Sequence, residues 1–200
     1  VVRPYQGAKD FTSSPAKLPS RYVLYFGSLD IEEVKRIYPK AYAIAETNIL
    51  PERRSIKGDY SVAQRRRDLW WKYGTLAGSM QEKLDNSEAC IAIPIHSMFH
   101  IADIERSDYI YAHSMVVIPG GHASLLCILQ SRIHEYWTVF RGSSLGEATR
   151  YTPTDCFECF PLPDGINATN HDSCPTETAS CSLLSDAGLR YKSCRESLMS

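Results

Sequence analysis

Apolar and polar positions in the first quarter of the chain predict one strand followed by two helices. Residues 21–26 are a run of aromatic and β-branched side chains, typical of a buried strand. Asp30 precedes residues 31–38, in which acids come early, bases come late and apolar side chains share one helical face. Pro39 ends or kinks this helix, and residues 41–50 are predicted to resume it.

The middle of the chain is predicted to contain a helical region and then short strands. Residues 61–84 have the pattern of a long, partly polar helix interrupted near Gly74 and Gly78. Residues 89–94 are predicted to form a short buried strand and residues 96–111 a meander of short strands, after which residues 115–118 return to the core.

The clearest helix in the sequence follows Gly120 and Gly121. Large apolar residues recur there at helical spacing and therefore share one face: Leu126, Leu129, Ile133, Tyr136, Trp137 and Phe140. We expect this face to lie in the core. Residues 183–199 are predicted to form a final helix.

These elements predict an α/β (α+β) fold, with a small mixed or antiparallel sheet packed against several helices. One globular domain is predicted over residues 1–163. Residues 164–182 are rich in Asn, Thr, Ser and Pro and are predicted to be a flexible connector, which leads to a C-terminal helical tail over residues 183–200.

The composition is that of an ordinary globular chain: 200 residues, 44% of them hydrophobic, with 22 basic and 23 acidic residues. It excludes disordered and fibrous classes, and no apolar run reaches the length that a membrane helix needs. The N-terminus has no signal-peptide pattern, so a cytoplasmic protein is expected. Because the chain starts at Val1 rather than Met, we expect a piece of a longer polypeptide.

Positive charge is concentrated in residues 51–72, where three acidic residues accompany seven basic ones: Arg53, Arg54, Lys57, Arg65, Arg66, Arg67 and Lys72. Such a segment can neutralise phosphates and give nucleic-acid affinity that does not depend on sequence. It is equally compatible with a solvated helix face. Three consecutive arginines point three ways around a helix, so residues 65–67 cannot all contact one nucleic-acid backbone.

Cysteines and histidines suggest a metal or redox site only weakly. Cys156 and Cys159 form a C-x-x-C pair, but no second pair of ligands with tight spacing is evident, and the seven cysteines are expected to be reduced. His96 and His100 lie in a strand-like pattern that separates them, and His134 is expected to be a packed or hydrogen-bonded residue of a helix. The sequence contains no motif of a serine hydrolase, P-loop or dinucleotide-binding protein.

Three segments in order carry a resemblance to a known family: Arg3-Pro4-Tyr5 with Gly7 and Asp10-Phe11, Trp70-Trp71-Lys72-Tyr73, and residues 129–161 with LQSRIHEYW, GSSL and RYTPTDCFECFP. Together they resemble the C-terminal target-recognition region of large adenine-specific DNA methyltransferases, the MmeI-like restriction-modification and phage-defence enzymes. The resemblance covers about residues 1–163 and is most specific over residues 130–161.

The resemblance implies a DNA target-recognition domain that reads double-stranded DNA. In that family an upstream methyltransferase domain of the same polypeptide binds S-adenosylmethionine and carries an NPPY-type catalytic loop. This chain has neither that loop nor a glycine-rich cofactor loop, so we expect no catalytic residue, cofactor or metal in it. Alone it should not methylate or cut DNA, whereas the parent protein would be an adenine-specific methyltransferase with or without an endonuclease.

The resemblance assigns base contacts to two elements. The first follows Leu145 and contains Gly146, Glu147, Ala148, Thr149 and Arg150. Arg150 can fork onto the two acceptors of guanine and Glu147 can accept from a cytosine amine, whereas Gly146 and Ala148 offer no polar side chain. A phosphate contact or a structural salt bridge is the alternative for Arg150.

The second expected reading element is residues 95–100, with His96, Ser97 and Met98 as DNA-binding candidates. Many relatives have an Arg-Val-Ser-Lys-like sequence there, and only Ser97 matches it. Phosphate contacts are expected from the basic segment: Arg53, Arg54, Lys57, Arg65 and Arg66.

Two other functions stay open. The 12 Tyr, 6 Phe and 3 Trp can form the surface of a protein-interaction or scaffold module. A metal-dependent hydrolase would use the histidines and the Cys156/Cys159 pair. A DNA binder needs Arg53, Arg54 and Lys57 on the same face as Arg150.

Overall fold

The chain folds as two units in a computed structural model that describes residues 1–13, 17–73, 78–145, 148–163, 166 and 179–199. The first unit comprises Val1–Pro4 and Tyr22–Gly78, and the second comprises Tyr5–Arg21 and Ser79–Ser200. No helix of the described part is long and apolar enough to cross a bilayer.

Helices and short strands alternate along the chain. The strands are β1 Val2–Gln6, β2 Arg21–Leu24, β3 Ala89–Pro94, β4 His96–Ser97, β5 Asp103–Arg106, β6 Ile110–Tyr111, β7 Met115–Pro119, β8 Ser143–Leu145 and β9 Ala148–Arg150. The helices are α1 Ala8–Ser13, α2 Ile31–Ile37, α3 Pro39–Asn48, α4 Leu50–Ser55, α5 Ser61–Asp68, α6 Gly78–Asp85, α7 Ala123–Leu129, α8 Arg132–Arg141 and α9 Ala179–Met199, and a π-helical turn spans Pro153–Phe157.

The first unit is mainly helical, and its sequence marks where α2 begins. Asp30 and Glu33 form a reciprocal capping box, in which each side chain accepts the other residue's backbone N–H. As predicted, Pro39 ends α2, and as the first residue of α3 it lacks an N–H that would be unpaired there anyway. Four buried side chains form one hydrophobic cluster of this unit: Phe26, Val34, Ala45 and Trp70.

The second unit is built on the antiparallel sheet β5–β3–β7, with β3 in the centre. The expected strand over residues 89–94 is therefore confirmed, and so is the meander that follows it. Side chains of β3 and β7 pack with those of α7 in the main core, where Ile91, Ile93, Leu125 and Leu126 are at most 1% exposed. The mixed α/β class and the C-terminal helix are confirmed.

The C-terminal helix α9 packs on α7 in the second unit. Gly188 permits a close approach, since a Cβ there would lie 2.0 Å from the carbonyl oxygen of Ala123. Arg195 forms an ion pair with the buried carboxylate of Asp103 at 3.0 Å, and Lys17 contacts the same carboxylate. The helix begins at Ala179, four residues before its predicted start, and most of the predicted connector, 167–178, lies outside the described residues.

Two helix predictions are wrong in extent. Residues 61–84 were predicted as a long helix interrupted near Gly74 and Gly78. They contain α5, which already ends at Leu69, and α6, which begins at Gly78. The helix predicted after Gly121 is two helices, because Ser131 starts a new one: its Oγ accepts the N–H of His134 at 3.2 Å.

The break between α7 and α8 overturns part of the predicted core. Leu126 and Leu129 of α7 are fully buried, as expected. In α8 three of the four expected core side chains face solvent instead: Ile133 is 74% exposed, Tyr136 73% and Phe140 81%. The fourth, Trp137, is half-buried and packs on Phe160. The residues that α8 buries are polar, namely His134 and Thr138.

Candidate nucleic-acid interface

The two predicted reading elements lie side by side. Strand β4 pairs antiparallel with β9, so that His96 lies opposite Arg150 and Ser97 opposite Thr149. Strand β8 pairs with the other edge of β9 and brings Ser143 opposite Arg150. Segments about fifty residues apart in sequence thus form one three-stranded sheet, β4–β9–β8.

One face of the β4–β9–β8 sheet carries a row of exposed polar side chains. Directly opposed residues of an antiparallel pair project to the same face. His96, Arg150 and Ser143 therefore share a face, and all three are exposed. The row offers an imidazole, a guanidinium and a hydroxyl, which together can donate to and accept from base edges or phosphates.

The other face of the sheet turns toward α8. Ser97 and Thr149 are half-buried and line a recess of about 80 Å³ together with Thr138 and Val139 of α8 and with Tyr151. Among the residues that the structure describes, one face of the sheet therefore lies toward α8 and the other face is exposed.

Beneath the sheet lies a cluster of neutral aromatic and histidine rings. His134 Nε2 lies 3.0 Å from the Tyr151 hydroxyl, and the edge of its ring meets Phe160 at a centroid distance of 4.5 Å. His100 Nε2 lies 2.5 Å from the carbonyl oxygen of Leu129, and its ring stacks on Tyr151. The expectation that His134 is a packed, hydrogen-bonded residue is confirmed.

Burial keeps this cluster uncharged. It lowers the pKa of His134 to about 3, with a smaller contribution from His100. It also lowers the pKa of His100 and raises that of the Tyr151 hydroxyl. The two histidines therefore support the sheet as neutral groups and add no positive charge at pH 7.

Backbone contacts join the cluster to the sheet. The Tyr151 N–H donates to the carbonyl oxygen of Ile95 at 2.7 Å, which continues the pairing of β9 with the start of β4. At the end of α8, a Cβ on Gly142 would lie 2.5 Å from the Thr138 oxygen and 2.8 Å from the Arg150 oxygen. Glycine therefore allows the end of α8 to pass this close to the backbone of β9.

The other members of the predicted reading loops have different positions. Met98 follows β4 and is 66% exposed, and Ala148 begins β9 half-buried. Gly146 and Glu147 lie outside the described residues. Thr149, a member of the first element, lies opposite Ser97 on the α8 side of the sheet. Phe99 lies within the second element, although it was not a named DNA-binding candidate, and it lines the same recess.

The basic segment lies in the first unit. Arg54, Lys57, Arg65 and Arg66 are exposed, and Arg53 is half-buried in the last turn of α4. The next residue in α5, Arg67, has a structural role, because its guanidinium donates to the carbonyl oxygens of Ile56 and Gly58 and pairs with Asp59. That agrees with the expectation that the three consecutive arginines do not act together.

The cysteine pair is divided between core and surface. Cys156 is fully buried in the main core and Cys159 is exposed, and burial raises the pKa of the Cys156 thiol. Within the described residues, no group of three or more His, Cys, Asp or Glu side chains is arranged to hold a metal ion.

Comparison with known proteins agrees with the geometry. Residues 1–164 match the family model described as "MmeI, target recognition domain". The fold is similar to that of the Type IIL restriction-modification enzyme MmeI solved in complex with DNA, with a TM-score of 0.66 and 20% sequence identity over 96% of this chain. The chain spans 23% of that enzyme's length. Curated protein sequences gave no match. The chain therefore belongs to the MmeI target recognition domain family.

Proposed function

We propose that this chain recognises specific sequences in double-stranded DNA, and that the exposed row on the β4–β9–β8 sheet contacts the bases. The observation that carries the proposal is the pairing of His96 with Arg150 in a sheet whose other face is supported by α8. The major groove is wide enough to admit a β-ribbon, and a guanidinium there can bind the two acceptors of guanine. The MmeI relative, which was solved with DNA, supports this assignment.

The whole protein, on this proposal, is an adenine-specific methyltransferase of a restriction-modification or phage-defence system in the cytoplasm. Its catalytic domain would precede this chain in the same polypeptide and would use S-adenosylmethionine. The basic residues of the first unit, Arg53, Arg54, Lys57, Arg65 and Arg66, would contact phosphates and supply affinity that depends on salt rather than on sequence.

The test is a binding titration followed by a selection. Fluorescence anisotropy with labelled duplexes that have a randomised centre should give an affinity that falls steeply with salt concentration. Duplexes selected over repeated rounds should then share a short sequence. A folded protein without salt-sensitive binding, or a selected pool without a common sequence, would contradict the proposal.

Arg150 should discriminate among bases. Arg150→Ala should reduce the preference for the selected sequence over a single mismatch by about 1–3 kcal/mol. Arg150→Lys keeps the positive charge but cannot bind both acceptors of guanine at once, so this variant should also lose most of the preference for the selected sequence. Equal weakening by Arg150→Ala on every duplex would instead indicate a phosphate contact.

A matched pair of variants tests the phosphate contacts. Arg54→Ala should flatten the dependence of log affinity on log salt by about one charge, because one fewer counterion is released. Lys40→Ala removes an exposed charge of α3, outside the basic segment, and serves as the control. An equal salt dependence in the two variants would show that Arg54 faces solvent in the complex.

A second candidate function, protein interaction, is favoured by one observation. The apolar side chains of α8 are exposed, and soluble proteins expose large contiguous apolar patches mainly where a partner binds. This surface is distinct from the polar row of the sheet, so the two functions are compatible. Polar substitution of Phe140 tests the candidate, because that residue is the most exposed of the stripe.

A further inference from the structure

An apolar surface extends from the recess between the β4–β9–β8 sheet and α8 onto the exposed side of that helix. Met98 and Phe99 line the recess together with Val139 of α8. The remaining apolar side chains of α8 follow on its exposed side, because residues three and four apart on a helix are neighbours. Six side chains, each 62–81% exposed, form this surface, which we call the α8 patch: Met98, Phe99, Ile133, Tyr136, Val139 and Phe140.

The α8 patch has the size and composition of the centre of an interface. Its three aromatic rings are each more than 70% exposed and contribute roughly 350–550 Å² of surface, to which Met98, Ile133 and Val139 add. An interface of standard size buries about 800 Å² on each partner. The centres of homodimer interfaces are more apolar than other surfaces, and interfaces are enriched in aromatic residues and Met. The α8 patch therefore supplies most of the apolar area that a stable dimer needs.

The charges around the α8 patch allow two copies of the chain to approach each other. Arg132 and Glu135 form an ion pair at 2.6 Å, and the guanidinium of Arg141 lies over the ring of Trp137. Of the described residues that line the recess, only Glu135 is charged at pH 7, because burial lowers the pKa of His100. An identical patch can therefore dock here without opposing unpaired like charges.

The recess gives the patch a socket for one side chain. At about 80 Å³ it is several times smaller than the pockets that hold small-molecule ligands, which are about 300–1,000 Å³. Ser97 and Thr149 line it and offer hydroxyl groups. Tyr136 lies one turn before Val139, is 73% exposed, and combines an apolar ring with a hydroxyl that can use such partners. One surface thus carries both a socket and a side chain that suits it, which is the self-complementarity that a two-fold interface requires.

We propose that the α8 patch is the interface of a two-fold dimer of this chain, in which Tyr136 of each copy enters the recess of the other. The inference rests on the second candidate function, protein interaction, and names the partner as a second copy of the chain. It does not depend on DNA binding. The polar row of the β4–β9–β8 sheet lies on the opposite face of the sheet and stays uncovered in this dimer.

The first measurement is the mass of the chain in solution. Sedimentation equilibrium between about 1 µM and 500 µM should show the wild-type chain passing from one copy to two, because interfaces of standard size have micromolar or tighter dissociation constants. The dimer should persist when salt is raised from about 0.1 M to about 0.5 M, since its contacts are apolar. DNA binding, in contrast, should weaken over the same range.

The second measurement places the interface on the α8 patch. Tyr136→Ser should raise the dissociation constant of the dimer at least about thirtyfold, because a two-fold interface contains this anchor twice. Tyr136→Phe keeps the ring and removes only the hydroxyl, so it should raise that constant by a smaller factor. Tyr22→Ser is the matched control, because Tyr22 is 68% exposed on β2, outside the patch. Circular dichroism checks that each variant is folded.

The outcomes separate the dimer from the DNA-recognition proposal. A wild-type chain that stays monomeric at the highest concentration would overturn the dimer and assign the patch to a different partner, while salt-sensitive DNA binding could still be observed. An assembly that grows beyond two copies would also overturn it, because a two-fold interface closes at two. Equal dissociation constants for Tyr136→Ser and Tyr22→Ser would show that the copies meet elsewhere. A dimer that Tyr136→Ser dissociates, with its DNA affinity unchanged, would support the proposal.

Discussion

Two consecutive helices, α7 and α8, carry similar apolar patterns and use them in opposite ways. Leu126 and Leu129 of α7 are fully buried, whereas Ile133 and Phe140 of α8 are more than 70% exposed. Apolar periodicity shows that a helix has an apolar face, but the elements packed around the helix decide which face is buried. Here the cap at Ser131 starts a new helix, so the face of α7 does not continue into α8.

The largest expected difference between the two helices is in stability. Leu129 and Ile133 are four residues apart in the sequence and belong to the same predicted stripe. Leu129→Ala should lower the free energy of unfolding by about 2–5 kcal/mol, because it leaves a cavity in the main core. Ile133→Ala should change it by less than about 0.5 kcal/mol. Urea unfolding at equilibrium measures both, and similar losses would mean that α8 buries its apolar face.

The second expected difference is a pH dependence that comes from the buried face of α8. Burial lowers the pKa of His134 to about 3, compared with an ordinary value near 6.5. The unfolded chain therefore binds a proton between these values and the folded chain does not. The contribution of His134 is fully present above about pH 6.5 and is lost as the pH falls, by about 1.4 kcal/mol per unit.

The measurement is the free energy of unfolding of the wild type and of His134→Gln between about pH 7 and pH 4.5. Gln can still hydrogen-bond to the Tyr151 hydroxyl but does not titrate in this range. The difference in stability between the two proteins should shrink as the pH falls. A difference that stays constant would show that His134 takes up a proton in the folded state, so that the face it occupies is not closed to water.

The features of the fold that local patterns determine were predicted well. The capping pair Asp30 and Glu33 marks the start of α2 and Pro39 its end, because the chemistry involves neighbours in sequence. The continuous apolar run over residues 89–94 predicts the central strand β3 for the same reason. The exposed face of α8 could not be predicted, because it depends on residues packed against that helix from elsewhere in the chain.

The sequence predicted the candidate site as two separate segments. It did not predict that the two segments pair with each other in one sheet. Strand β4 has only two residues and β9 three, too few for a periodic signal. Their pairing is a long-range contact whose register no local pattern specifies. The resemblance to a family identified both segments, whereas the opposition of His96 and Arg150 became evident only from the strand pairing. Phe99 lies within the predicted segment of residues 95–100 but was not named as a DNA-binding candidate.

The smallest expected effect on stability belongs to Phe140, at the exposed end of the α8 stripe. Phe140→Gln should change the free energy of unfolding by less than about 0.5 kcal/mol, since the ring is 81% exposed. If the stripe is a protein-binding surface, the same variant should weaken any self-association that sedimentation velocity detects at high concentration. Leu126→Gln is the contrasting change on α7: it places a polar amide in the main core and should unfold the second unit. A large loss of stability in Phe140→Gln would mean that the ring is packed within the folded chain, and the two helices would then no longer differ.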